Sequence, residues 1–253
     1  MINFNKEQIY IVTGASSGIG EATAILLNEL GATVVGIGRN QERLEAMKTK
    51  CKYPENMFLE QKDLTEDIEG LPKYVKSLKE KYGKFSGMAY CAGVSALNPL
   101  RTITYEYLTN IFDINYFAPI MMIKSIGDKR NNVGLGTSIV TISSIDAILN
   151  SKGQSVYGAS KAALSASVKA LSRELTQQNG VRINAVLPSM IKTSMTMNSQ
   201  VQGLGINQNI NFEEYPFGWG EPNDVANMIV YLLSDKAKFI SGQNYVIDSG
   251  GVL

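Results

Sequence analysis

The sequence predicts an α/β fold in which a seven-stranded parallel sheet is covered by helices on both faces. Three observations carry that prediction. Short β-branched runs alternate with longer helix-like stretches almost from end to end. The runs are apolar nearly throughout, as strands buried on both faces require. A glycine-rich turn joins the first run to the first helix-like stretch. The 253 residues, 44% of them hydrophobic, suit one domain spanning 1–253, since no linker, low-complexity tract or repeat divides them.

In chain order the predicted strands are 9–12, 33–37, 57–60, 87–91, 137–142, 182–186 and 244–247. The helices between them are 19–30, 41–50, 68–82, 105–126, 157–177 and 224–233. In the first helix Ile19, Ala22, Leu26 and Leu30 recur at helical spacing and predict one buried stripe. The stretch 189–219 breaks the alternation. It is rich in Asn, Gln, Met and Gly, shows no long periodicity, and is expected to be a substrate loop or lid.

Composition removes several classes of function. A net charge of +1 with mixed signs offers no basic stripe for a phosphate backbone, so no nucleic-acid partner is expected. The first residues have neither a cationic lead nor an apolar run, and no window approaches the ~20 apolar residues of a membrane span. Cys51 and Cys91 are too few for a disulfide framework or a structural zinc site, so a cytoplasmic chain without a metal site is expected. Histidine is absent altogether. Proton transfer near neutral pH then falls to a carboxylate, a lysine, a cysteine or a perturbed tyrosine.

The first strand runs into Thr13-Gly14-Ala15-Ser16-Ser17-Gly18-Ile19-Gly20, and a helix follows. Glycines permit a tight turn and close backbone approach, while the helix start offers free N–H groups to a pyrophosphate. The spacing is G-x-x-x-G-x-G rather than the common dinucleotide fingerprint, and an ordinary glycine-rich connection would read the same. The second strand ends Gly36-Ile37-Gly38-Arg39. An acid there would accept from a ribose 2′-hydroxyl; Arg39 instead suits a 2′-phosphate, which favours NADP(H) over NAD(H).

Tyr157 and Lys161 lie four apart at a helix start and so share one face. A free tyrosine has a pKa of about 10, and a nearby ammonium favours the phenolate. Upstream, a β-branched strand ends Thr141-Ile142-Ser143-Ser144, at the end of a parallel sheet where ligands bind. Either serine could hold a carbonyl oxygen.

With these motifs in order the chain resembles the short-chain dehydrogenase/reductase family in its single-domain form of about this length. The resemblance runs from Thr13 to Asp248-Ser249-Gly250-Gly251 and includes Asp63-Leu64, Ala92-Gly93, Asn115, and Pro188, Ile191 and Thr193. Ser144 precedes Tyr157 by the family's usual interval, which selects it over Ser143. The resemblance implies a Rossmann-like doubly wound fold and a hydride exchanged between nicotinamide and a carbonyl or secondary alcohol. It implies that Ser144 orients the substrate oxygen, Tyr157 gives or takes the proton, and Lys161 lowers the tyrosine pKa and holds the nicotinamide ribose. Asn115 would position a water beyond Lys161. Gly14, Ser16, Ser17, Gly18, Ile19 and Gly20 would hold the pyrophosphate and Arg39 the 2′-phosphate. Asp63 and Leu64 would flank the adenine. Ala92, Gly93, Pro188, Ile191 and Thr193 would line the rest of the cofactor site.

Three positions depart from the family pattern. The usual Asn-Asn-Ala-Gly is Tyr90-Cys91-Ala92-Gly93, the usual proline-glycine is Pro188-Ser189, and a frequent Arg before Trp219 is Gly218. Cys91 reads as a packed residue. Similarity to 3-oxoacyl-carrier-protein reductases suggests an acidic carrier protein as partner, with Lys129, Arg130 and Arg173 as its contacts or as solvated charges. The stretch 131–136 is longer than those reductases usually have. The resemblance also implies a homo-oligomer, a tetramer before a dimer, with Ala163, Ala166 and Ala170 against a partner helix or packed within the chain. The competing function is a catalytically silent NADP-binding sensor or scaffold, which usually lacks the tyrosine or the lysine.

Overall fold

The computed structural model describes residues 1–95, 97–149, 151–197 and 217–251. Most of the expected lid, 198–216, lies outside the described residues. Seven strands form one sheet: β1 (Ile9–Thr13), β2 (Thr33–Gly38), β3 (Met57–Gln61), β4 (Gly87–Tyr90), β5 (Ser138–Ile142), β6 (Arg182–Pro188) and β7 (Asn244–Ile247). Their order is β3-β2-β1-β4-β5-β6-β7, and every pairing is parallel. Each predicted strand is present, with ends shifted by two residues at most.

The apolar strands are explained by two cores, one on each face. Tyr10, Val12, Val34, Val140, Ile142 and Val186 point to one. Ile11, Val35, Ile37, Ile139, Ile183, Ala185 and Leu187 point to the other. Successive strand residues face opposite ways, so both parities must be apolar when both faces are dry.

Helices α1 (Gly18–Glu29), α2 (Gln41–Lys48) and α9 (Pro222–Leu233) cover the first face. Helices α3 (Leu71–Tyr82), α5 (Ala118–Ile126) and α7 (Ser155–Asn179) cover the second. The expected stripe on α1 is displaced. Gly20, Thr23, Ala24, Leu27 and Asn28 are its buried residues, whereas Ile19, Ala22, Leu26 and Leu30 are half-buried. The helix packs against the sheet and against α9 as well, so its apolar arc is wider than one stripe and its centre lies between the largest residues.

The predicted helix 105–126 is three pieces: α4 (Tyr105–Phe112), a π-helical turn over Asp113–Phe117, and α5. Two short helices, α6 (Asp146–Leu149) and α8 (Ser194–Met197), were not foreseen. Arg182 at the start of β6 is buried, and its guanidinium donates to Leu232 O (2.9 Å) and Ser234 O (3.0 Å) at the end of α9. A cation there satisfies carbonyls the helix cannot. Among the described residues no helix is long and apolar enough to cross a membrane.

Candidate active site

The sheet order reverses direction between β1 and its neighbours β2 and β4, and the crevice beyond the strand ends at such a point is where ligands bind in α/β sheets. Here it is a cleft of about 560 Å³. Gly14, Ser16, Ser17, Gly18, Ile19, Gly20, Arg39, Asp63, Leu64, Ala92, Gly93, Pro188, Ile191 and Thr193 all line it, together with Ser144, Tyr157 and Lys161. Further residues line it that no sequence motif announced, among them Ile37, Thr65, Val94, Asn110, Asp113 and Thr196. All but Asn110 lie within three residues of a foreseen position, and none carries a motif of its own.

The turn from β1 to α1 has the shape a dinucleotide phosphate requires. Gly14 has φ of 67°, and a Cβ on it would come within 2.9 Å of Ala92 N. A Cβ on Gly20 would lie 2.3 Å from Gly14 O. Both positions are therefore closed to any side chain, and Ser17, Gly18 and Ile19 at the start of α1 line the cleft. Thr13 Oγ1 accepts from Cys91 N and Ala92 N, both at 3.1 Å, and so joins this wall to the end of β4. The cradle fits the pyrophosphate of a nicotinamide dinucleotide.

Ser144, Tyr157 and Lys161 converge at the other end. Ser143 and Ser144 separate by orientation. Ser143 is turned onto α7, where its hydroxyl donates to Lys161 O (2.9 Å) and accepts from Ser165 Oγ (2.8 Å). Ser144 Oγ accepts from Asp146 N at 3.1 Å and bonds to Tyr157. Burial pushes the Tyr157 phenol up to about 12, against the Ser144 hydrogen bond and with the Asp146 carboxylate adding to it. The Lys161 ammonium is 5.9 Å from the Tyr157 ring centre and donates to Ile142 O at 2.8 Å. Burial in turn brings Lys161 down to about 8, only slightly opposed by the Cys91 thiol. A phenol at that pKa is a proton donor at neutral pH.

Asn115 does not line the cleft; it stands fully buried behind it. Its side chain accepts from Val94 N (3.1 Å) and donates to Val94 O (3.0 Å) and Ser160 Oγ (3.1 Å). A Cβ on Gly93 would meet Asn115 Oδ1 at 3.0 Å and Lys161 Nζ at 3.3 Å, so only glycine lets these two groups share that wall. Tyr90, which replaces the family's asparagine, is buried and donates its hydroxyl to Ile114 O at 3.0 Å. Cys91 lines the cleft half-buried, and burial raises its thiol to about 12, outweighing Thr23 and Lys161.

Arg39 follows β2 directly, and its side chain is 71% exposed, 3.7 Å from Asp63 Oδ2. Asp63 is lowered because bonds from Thr65 and the Arg39 charge outweigh its partial burial. An ion pair this exposed contributes roughly 0–1 kcal/mol, so the guanidinium can leave it for a stronger anion. A Cβ on Gly38 would lie 3.1 Å from the Ser16 side chain and 3.2 Å from that of Leu44, so an acid there requires both to shift. Among the basic residues suggested for a carrier protein, Arg130 is paired with Asp128, while Lys129 and Arg173 are exposed.

A parallel sheet with a glycine cradle at its switch point defines a Rossmann-like dinucleotide fold. A family model described as enoyl-(acyl carrier protein) reductase matches residues 14–251. The chain is 34% identical over 241 residues to a 3-oxoacyl-(acyl-carrier-protein) reductase of Rickettsia felis, covering 95% of each chain. It is 30% identical to an NAD-dependent glycerol dehydrogenase of Listeria innocua, over 98% of this chain and 95% of the other. A crystal structure of a short-chain dehydrogenase/reductase from Brucella melitensis, described as a glucose/ribitol dehydrogenase, superposes with a TM-score of 0.88 at 26% identity, covering both chains fully. The chain belongs to the short-chain dehydrogenase/reductase family of oxidoreductases.

Proposed function

We propose that the chain is a single-domain NADP(H)-dependent carbonyl reductase working on small ketones, with Tyr157 as general acid. The observation that carries this is the convergence of Ser144, Tyr157 and Lys161 at one end of a cleft whose other end is the glycine cradle. The nicotinamide, when bound, supplies or accepts the hydride. Ser144 holds the carbonyl oxygen, and Tyr157 Oη, protonated by virtue of its burial, delivers the proton to that oxygen. Lys161, charged at neutral pH, holds the ribose and eases loss of the phenol's proton. Asn115 positions a water that connects Lys161 to solvent. A catalytically silent sensor would have no use for this set of groups.

Gly14, Ser16, Ser17, Gly18, Ile19 and Gly20 hold the pyrophosphate, Asp63 and Leu64 the adenine, and Ala92, Gly93, Pro188, Ile191 and Thr193 the nicotinamide half. Arg39 selects NADP(H), although the Listeria relative uses NAD. A charge-assisted contact to the 2′-phosphate contributes about 1.5–3 kcal/mol. Arg39→Ala should therefore weaken NADPH binding by about 10–100-fold and leave NADH unchanged. Fluorescence titration of both cofactors, with turnover over a ketone panel including D-erythrulose, reads this. Equal losses for the two, or a wild-type preference for NADH, overturn the NADP(H) assignment; no turnover on any ketone overturns the reductase.

The same reading makes the chain a homo-oligomer, a tetramer before a dimer. Ala166 and Ala170 are exposed on α7 and Ala163 is half-buried, so the first two are free to meet a partner helix. Small residues on an outward face let a symmetry-related helix approach closely. Light scattering should give a mass above one chain at micromolar concentration, falling on Ala166→Arg. A monomeric wild type would refute it.

A further inference from the structure

The π-helical turn at Asp113–Phe117 leaves a main-chain carbonyl that no helical donor reaches. Ala118 N bonds to Asp113 O, five residues back. In an α-helix it would bond to Ile114 O, which is thereby vacated. The next residue along is Pro119, which has no N–H. Ile114 O therefore has neither its i+4 nor its i+5 partner, in a region where unpaired polar groups are costly. The donor that reaches it comes from across the fold: Tyr90 Oη at 3.0 Å, from the last residue of β4. Burial keeps that phenol well above its usual range, so it stays a donor.

The turn held in this way carries Asn115, whose amide is locked on Val94 and Ser160 and whose Oδ1 shares the Gly93 wall with Lys161 Nζ. We propose that Tyr90 is a positioning residue, its hydroxyl pinning the π-turn so that Asn115 is held beside Lys161. This rests on the reading of Lys161 and Tyr157 as the proton-handling pair. It also gives the first departure from the family motif a physical role. A phenol can span from β4 to the helix backbone and serve the carbonyl that Pro119 cannot.

Tyr90→Phe keeps the ring in the core and removes only the donor. Three measurements on the full chain test the proposal: amide exchange by mass spectrometry, steady-state kinetics with NADPH and D-erythrulose, and a double-mutant cycle with Asn115→Ala. Peptides covering 113–120 should exchange about ten-fold faster, the equivalent of one hydrogen bond, with β5 and β6 unchanged. The kcat should fall by a similar factor while KM for NADPH holds, and the fall should vanish in the Asn115→Ala background. Unchanged exchange at 113–120 overturns the proposal, as does loss spread over the whole sheet, which is mere destabilisation. Additive effects in the double variant overturn it too. Should the wild type reduce no ketone, the reductase reading fails alone, and the exchange result still decides whether Tyr90 holds the turn.

Discussion

Tyr157→Phe is expected to lower ketone reduction by about 10²–10⁴-fold, the usual contribution of a placed general acid, while NADPH binds as before. The hydroxyl bonds to Ser144 and to nothing else named at the site, and the ring is buried. Its removal leaves the packing intact and takes away only the proton donor. Turnover followed at the reduced-nicotinamide absorbance, beside a fluorescence titration of NADPH, separates the two functions. A variant within a few-fold of wild type would take Tyr157 out of the mechanism, and Ser144 would then have no proton to direct.

The second large effect runs in two directions at once. Lys161→Met should reduce turnover by about 10³-fold and at the same time stabilise the protein at neutral pH. Burial brings the folded pKa of Lys161 from 10.5 down to about 8. The unfolded chain therefore binds more protons between those values, and wild-type stability rises with pH across that window. Below it the folded state carries the full cost of a buried ammonium, roughly 3 kcal/mol. Methionine removes that cost and leaves Ile142 O without its donor, a loss of about 1 kcal/mol. The net gain is about 2 kcal/mol at pH 7, shrinking towards pH 10. Urea denaturation without added cofactor at both pH values reads it. A less stable variant at pH 7 would mean that Lys161 is solvated in the folded chain. Such a trade of stability for chemistry is common where a site needs a strained group.

The strands were legible because dry faces demand apolar residues at both parities, and the glycine turn because Gly14 and Gly20 admit no side chain. The cleft followed from the order of the motifs. What escaped the sequence depends on one-residue shifts and on orientation. The helical pattern from Tyr105 to Ile126 passes through the π-turn unbroken, since one inserted residue hardly alters a spacing of three or four. Pro119 was the only local sign of it. Ser143 and Ser144 look alike to physical reasoning on the sequence; the family interval to Tyr157 selected Ser144, and the direction of Ser143 onto α7 gives the physical reason. Spacing places Lys161 on the same face as Tyr157 but does not reveal that its ammonium donates to Ile142 O. The α1 stripe was misplaced for a related reason, since the sequence does not reveal that α9 lies beside it.

Every pairing in the sheet is parallel, so no two adjacent strands are joined by a hairpin, and this governs how the molecule comes into being. Contacts of high sequence separation are slow to form because loops must close before they are rewarded. The phosphate cradle illustrates the point: its wall opposite Gly14 is Ala92, almost eighty residues later, and Lys161 is further still. A nascent chain that has emerged only as far as α3 carries the whole glycine motif and no pocket. Nucleotide can then recognise only the finished fold, and any that binds draws the folding equilibrium towards it, by about 2.7 kcal/mol at a hundred times its dissociation constant. The cell's dinucleotide pool thus acts as a late-binding folding ligand, rewarding completed molecules and doing nothing for partial ones.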